Sequence, residues 1–228
     1  MLNLITKDLE KAGDKERAKN LSRFFKTGKG EYGEGDIFIG IIVPKQREIA
    51  KKYSTLSLKD IQQLLSSKIH EYRLTALLIL VLQFQKSNDK SIIDFYLKNT
   101  KYINNWDLVD LSAHRLLGIY LINKDKSILY KLARSKNIWE RRIAVISTFA
   151  FINKDKFEDS LKISEILLND KQDLIQKAVG WMLREIGKRD QKMEEKFLKK
   201  YYKQMPRTML RYSIERFSQE KRNLYLQR

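Results

Sequence analysis

From Leu56 onward the chain alternates apolar and polar positions at helical spacing, one amphipathic run after another. Leu74, Leu77, Leu78, Val81 and Leu82 show this burying period clearly. The runs also repeat. His70-Glu71-Tyr72-Arg73, Asn104-Asn105-Trp106-Asp107, Asn137-Ile138-Trp139-Glu140, Asp173-Leu174-Ile175-Gln176 and Pro206-Arg207-Thr208-Met209-Leu210 each open a helix. They are spaced about 33 to 36 residues apart, in the range of two-helix solenoid repeats. Shorter polar-capped helices lie between them, from Asp125 to Arg134 and from Asp155 to Leu168. A helical hairpin of this kind cannot bury its apolar face alone and must stack on its neighbours. The pattern predicts an all-α, HEAT- or armadillo-like superhelix. It is read as one domain, with residues 1-55 as an N-terminal helical cap and 56-228 as the stacked repeats. The regular spacing disfavours an irregular bundle.

The cap region predicts one or two helices over residues 2 to 26, with Asp14 capping the second. A loop over residues 27–36 then holds four of the nine glycines. It lacks the terminal Gly-Lys-Ser/Thr of a phosphate-binding loop and no strand precedes it, so that reading fails. Ile37 to Pro44 is the one strand-like run; with no partner strand elsewhere, an extended and buried lead-in to the next helix is preferred.

Two stretches depart from simple core patterning. Trp106 and Asp110 stand four residues apart, within about 40° on a helix; Trp106 sits within the borders of the apolar stripe Val109, Ala113, Leu116, Leu117 and Tyr120, and Asp110 on its edge. A ring and a carboxylate together at the rim of a core suit a site for an apolar, cationic or sugar-like group. In the helix from Ile175 to Gly187, a stripe of Ile175, Ala178, Val179, Met182, Leu183 and Ile186 faces inward. Trp181 falls outside that stripe, grouped with Lys177, Arg184 and Lys188. Such a ring either packs on a neighbouring repeat or stacks on a ligand within a phosphate-binding face.

Charge sharpens the picture. Forty-six Lys and Arg face 28 Asp and Glu, for a net charge of +18 in 228 residues. That is the profile of a polyanion binder, and nucleic acid leads because the cations are spread along the chain and form no amphipathic membrane helix. The absence of cysteine removes disulfides, thiolate nucleophiles and zinc-thiolate sites, and fits a cytoplasmic address, nucleoid-associated in a bacterium. No run of apolar residues is long enough for a membrane span. Arg141 and Arg142 near a helix start can grip phosphate or serve Asp and Glu as structural partners. The two histidines carry weaker signals: His70 caps or borders a helix, and His114 lies on a polar flank four residues from Asp110. Without metal-ligand spacing, neither metal nor other cofactor is expected.

Six segments in register resemble the DNA alkylation repair family of HEAT-like-repeat DNA glycosylases. They are Gly33 to Gly40 with Pro44, Ile69 to Leu74, Trp106 to Asp110, Asn137 to Arg142, Gly180 to Glu185 and Met205 to Tyr212. The likeness runs over nearly the whole chain from about residue 15.

The resemblance implies an enzyme whose helical-hairpin repeats wrap duplex DNA in a cationic concave groove and that cuts the N-glycosidic bond of positively charged alkylated purines, of the N3-methyladenine and N7-methylguanine type. It implies a catalytic trio of Trp106, Asp110 and Trp181 and DNA contacts from Arg142 and Arg184. Arg141, Lys177 and Lys188 join them as candidates on the same basic faces. An N-terminal aromatic of the family corresponds to Phe24 or Phe25. The resemblance also implies contacts to backbone and sugar while the lesion stays largely stacked. The expected partner is double-stranded DNA with alkylated bases, bound by a monomer, without membrane or metal. A non-catalytic protein of the same fold that binds distorted or branched DNA is the alternative, and a protein-interaction scaffold, which needs no such charge, ranks below it.

Overall fold

The computed structural model of the chain describes residues 1–227. These fall into two compact units, one spanning Met1–Ser112 and the other beginning at Ala113. All regular structure among them is helical, as the patterning predicts.

The first unit contains α1 (Leu2–Lys11), α2 (Lys15–Phe24), α3 (Val43–Lys52), α4 (Leu58–Leu65), α5 (His70–Ser87), α6 (Lys90–Lys98) and the short α7 (Trp106–Asp110). Asp14 caps α2 as expected, its side chain accepting from the Arg17 N–H at 2.7 Å. The helix α5 goes beyond its predicted stripe: every residue from His70 to Val81 is buried. It is the hub of this unit, packed by α1, α3, α4, α6 and α7, and so has no solvent face to keep polar.

The segment before α3 is extended without a sheet. A single parallel bridge joins Ile37 to Ile69, with the Ile37 N–H donating to Lys68 and the His70 N–H to Ile37. The N–H groups of Ile39, Gly40 and Ile41 find their acceptor in the Glu71 carboxylate, at 2.7–3.2 Å. One buried side chain thus does what a partner strand would do, meeting the requirement that buried backbone donors be paired. Gly40 adopts φ +86°, and a Cβ there would stand 2.0 Å from the Asp14 carbonyl oxygen. Burial is only partial, since Phe38 and Ile41 are inside while Ile37 and Ile42 are 50% and 48% exposed. In the preceding loop, the N–H groups of Gly28 and Gly30 are taken by Glu31 and Glu34, each at 2.8 Å.

The second unit holds a π-helical turn His114–Gly118, then α8 (Ile119–Leu121), α9 (Ser127–Ala133), α10 (Ile138–Ser147), α11 (Phe149–Ile152), α12 (Glu158–Ile166), α13 (Asp173–Gly187), α14 (Gln191–Tyr201), α15 (Arg207–Ser213) and α16 (Gln219–Leu226). The stripe predicted for α13 is fully buried at all six positions. Gly180 lets α15 press against it; a Cβ would lie 2.5 Å from both the Met209 carbonyl oxygen and the Tyr212 Cβ. The turn structure after Asp110 and the π-helical turn break the regular 100° step, so the helical wheel that carried Trp106, Val109 and Tyr120 on one stripe does not extend through this region.

Candidate functional site

In the first unit, α7 carries Trp106 and Asp110 in a single stretch of five residues. Its start is set by Asn105, whose buried side chain accepts from the Trp106 N–H at 2.8 Å. Leu108 and Val109 point into the core, which leaves Trp106 and Asp110 half-buried at its rim. The ring of Trp106 stacks on Phe25 with centroids 5.1 Å apart and planes 20° apart, and Phe24 meets it edge-on at 6.0 Å. Phe25 in turn stacks on Phe38 at 5.0 Å. The two phenylalanines left open by the sequence therefore differ in kind: Phe25 is 7% exposed and backs the tryptophan, whereas Phe24 is 63% exposed beside it. The charge of Asp110 acts on the buried Tyr96, whose hydroxyl is pushed well up, chiefly by burial.

Beneath α7 lies a buried polar cluster that sequence reasoning missed. His70, at 1% exposure, places Nε2 2.8 Å from Asp107 Oδ2 and Nδ1 3.4 Å from Asp36 Oδ2. Arg73 donates to Asp36 Oδ2 at 2.5 Å, and Asn104 donates to Asp36 Oδ1 at 2.9 Å. Burial works against the Asp36 anion, but the His70 hydrogen bond and the Arg73 charge hold its carboxyl below the usual value. The sequence signal, visible only in retrospect, is that His70, Glu71 and Arg73 together open a helix that is apolar at all but one position from Leu74 to Leu82.

The second unit carries the remaining candidates. Trp181 on α13 is half-buried, tilted against Phe149 at 5.8 Å, and its indole N–H donates to Glu185 at 3.0 Å. Glu185 also accepts from Lys188 at 2.7 Å and lies 3.5 Å from Arg184 Nη2. Arg184 binds Glu215 through its other terminal nitrogen, and Lys177 pairs with Asp173 at 2.6 Å. The basic face of α13 therefore carries its own counter-charges, Asp173, Glu185 and Glu215, none of which the sequence reading weighed. Arg142 is buried and donates to the Leu174 carbonyl at 2.5 Å. Arg141 takes the structural-partner option: Nε donates to Asp170 at 2.6 Å and Nη1 to the carbonyls of Ser135 and Lys136. Among the described residues no three His, Asp or Glu converge so as to hold a metal ion, and no helix is long and apolar enough to cross a membrane.

No curated protein matches the chain. Among solved structures, one described as a predicted DNA alkylation repair enzyme from Enterococcus faecalis matches with a TM-score of 0.72 at 19% identity, covering 91% of this chain and 97% of that one. At that identity the likeness establishes a shared fold. The family model described as DNA alkylation repair enzyme matches residues 5–217, nearly the whole chain, and the chain belongs to that family.

Proposed function

We propose that this chain is a monofunctional DNA glycosylase that hydrolyses the N-glycosidic bond of positively charged alkylated purines, of the N3-methyladenine and N7-methylguanine type, in duplex DNA. Family membership sets the role in repair of alkylated DNA. The observation that carries the finer reading is the pairing of Trp106 with Asp110 on one anchored helical turn, in a chain of net charge +18. A carboxylate at the rim of the core, beside an aromatic ring, works against DNA affinity, and a chemical role accounts for its place there.

The reaction asks little of the protein. A cationic base leaves as a neutral one by taking the electrons of the C1′–N bond, so no strong general acid is needed. Positive charge then builds on the deoxyribose, where Asp110 stabilises it. Water adds to C1′ and gives up a proton, with Asp110 orienting it or accepting that proton. Trp106 and Trp181 offer electron-rich faces to the cationic nucleotide. Arg142, Arg184, Lys177 and Lys188 are the proposed phosphate contacts, which act by positioning the duplex.

The test is release of free base from duplex DNA carrying N7-methylguanine. Wild type releases it, and Asp110→Asn loses at least about 100-fold in rate while binding duplex equally or more tightly. Binding weakens steeply with salt. Salt-sensitive binding with no release from wild type would overturn the catalytic reading in favour of a non-catalytic DNA binder.

A further inference from the structure

His70 is a charged-capable group that the proposed reaction does not use, yet the fold buries it against two carboxylates. We propose that His70 is a positioning residue for the proposed reaction: its imidazolium, clamped between Asp107 and Asp36, holds the α7 turn that presents Trp106 and Asp110. This rests on the glycosylase reading for its consequence, though not for its geometry.

A five-residue helix has almost no hydrogen bonds of its own, so tertiary contacts must orient it. Two tethers do so, one on each side of Trp106. Asn104 is tied to Asp36 at 2.9 Å, and Asp107 is tied to His70 at 2.8 Å while its other oxygen accepts from the Leu108 N–H. The same imidazole stacks on Phe38 at 4.5 Å and lies 5.2 Å from Phe25, the ring that backs Trp106. His70 therefore touches both the backbone tether and the aromatic stack.

The charged groups that face it are Asp107, Asp36 and Arg73. Glu71, next along α5, is engaged by the amides of Ile39, Gly40 and Ile41. With His70 protonated, two cations meet two anions. With it neutral, the one guanidinium, bound to Asp36, is left to offset two buried carboxylates, a costly arrangement in a dry site. Burial opposes the cation, but the charge and hydrogen bond of Asp107 prevail and raise the pKa to about 8. The raised value fixes the sign: the charge-dependent part of the tether contributes fully below the ordinary histidine pKa of about 6.5 and is lost as pH rises through about 8, leaving the weaker hydrogen bond of a neutral ring.

The chain has two histidines, so ring-proton NMR of the protein, with His114→Gln for assignment, reads the His70 titration directly. Two readouts are then set against it. The first is acrylamide quenching of Trp106 in the full chain carrying Trp139→Phe and Trp181→Phe. Quenching rises with the His70 midpoint, and in the further His70→Gln variant it is high at every pH. The second is the ratio of wild-type to His70→Gln base-release rates, which cancels titration of the substrate. That ratio is about tenfold near neutrality and falls towards one above the His70 midpoint, with duplex affinity unchanged. Quenching that stays flat through the His70 titration, or a His70 midpoint at the ordinary value, overturns the proposal. If wild type releases no base while quenching tracks His70, the glycosylase reading fails and the positioning role stands. If His70→Gln does not fold, the comparison of NMR with quenching in the chain that keeps His70 decides alone.

Discussion

Trp181 donates its indole N–H to Glu185 at 3.0 Å, and the same carboxylate oxygen receives Lys188 at 2.7 Å. One acid thus sets the orientation of the second candidate tryptophan and neutralises part of the basic face around it. The two effects separate by substitution. Glu185→Gln keeps an acceptor for the indole and removes the charge, so duplex DNA binding tightens by up to about 1 kcal/mol, roughly fivefold, with base release retained. Glu185→Ala tightens binding similarly but lowers base release, because the ring loses its anchor. Fluorescence anisotropy with labelled duplex and a base-release assay on both variants check this; equal release from the two would show that the hydrogen bond does not matter.

Phe24 and Phe25 are adjacent in sequence and opposite in environment. Phe25→Ala empties a site between Trp106 and Phe38 and costs about 3 to 5 kcal/mol of stability. Phe24→Ala changes stability by no more than about 0.5 kcal/mol, while weakening the action on alkylated duplex if this exposed ring is the N-terminal aromatic of the family. Denaturant unfolding and base release, measured side by side, give the result; a large stability loss at Phe24 would contradict the assignment.

Glu194 is buried in the second unit with one carboxyl oxygen lacking any hydrogen-bond partner. Burial, aided by the charge of Glu195 and opposed by Arg184, pushes its pKa up to about 8. The folded protein then keeps a proton that the unfolded chain releases above about 4.5, so this group's contribution falls as pH rises from about 4.5 to 8 and is lost above that. Glu194→Gln removes the titration. The difference in melting temperature between variant and wild type should grow in favour of the variant across that window; a constant difference would mean Glu194 titrates normally.

Gly118 ends the π-helical turn with ordinary helical angles, and propensity alone favours alanine there by about 1 kcal/mol. A Cβ would nevertheless stand 2.3 Å from the Ser147 carbonyl oxygen and 2.9 Å from the Ala150 Cβ. Backbone on a packed helix cannot step aside cheaply, and overpacking costs about 1 to 3 kcal/mol. Gly118→Ala is therefore net destabilising by chemical denaturation, and a more stable variant would show that the helices yield.

Much of the fold was legible locally. The expected openings at His70, Trp106, Asp173 and Arg207 coincide with the starts of α5, α7, α13 and α15, and Ile138 begins α10. Caps and apolar periods act over one or two turns, so residues near in sequence reveal them. The same holds for the buried face of α13 and for the placement of Trp106 and Asp110 on one turn. What the tertiary structure decided are the relations without a period. Asp36, His70 and Asp107 meet across more than thirty residues each, an association that leaves no spacing rule to read. The Glu71 carboxylate replaces a partner strand for the same reason, and the difference between Phe24 and Phe25 exists only once Phe38 and Trp106 have enclosed one of them. Local pattern determines which segments become helices and which faces they hide. The pairing of buried charge, which costs several kcal/mol when left unmade, depends on where the packed helices bring distant side chains together.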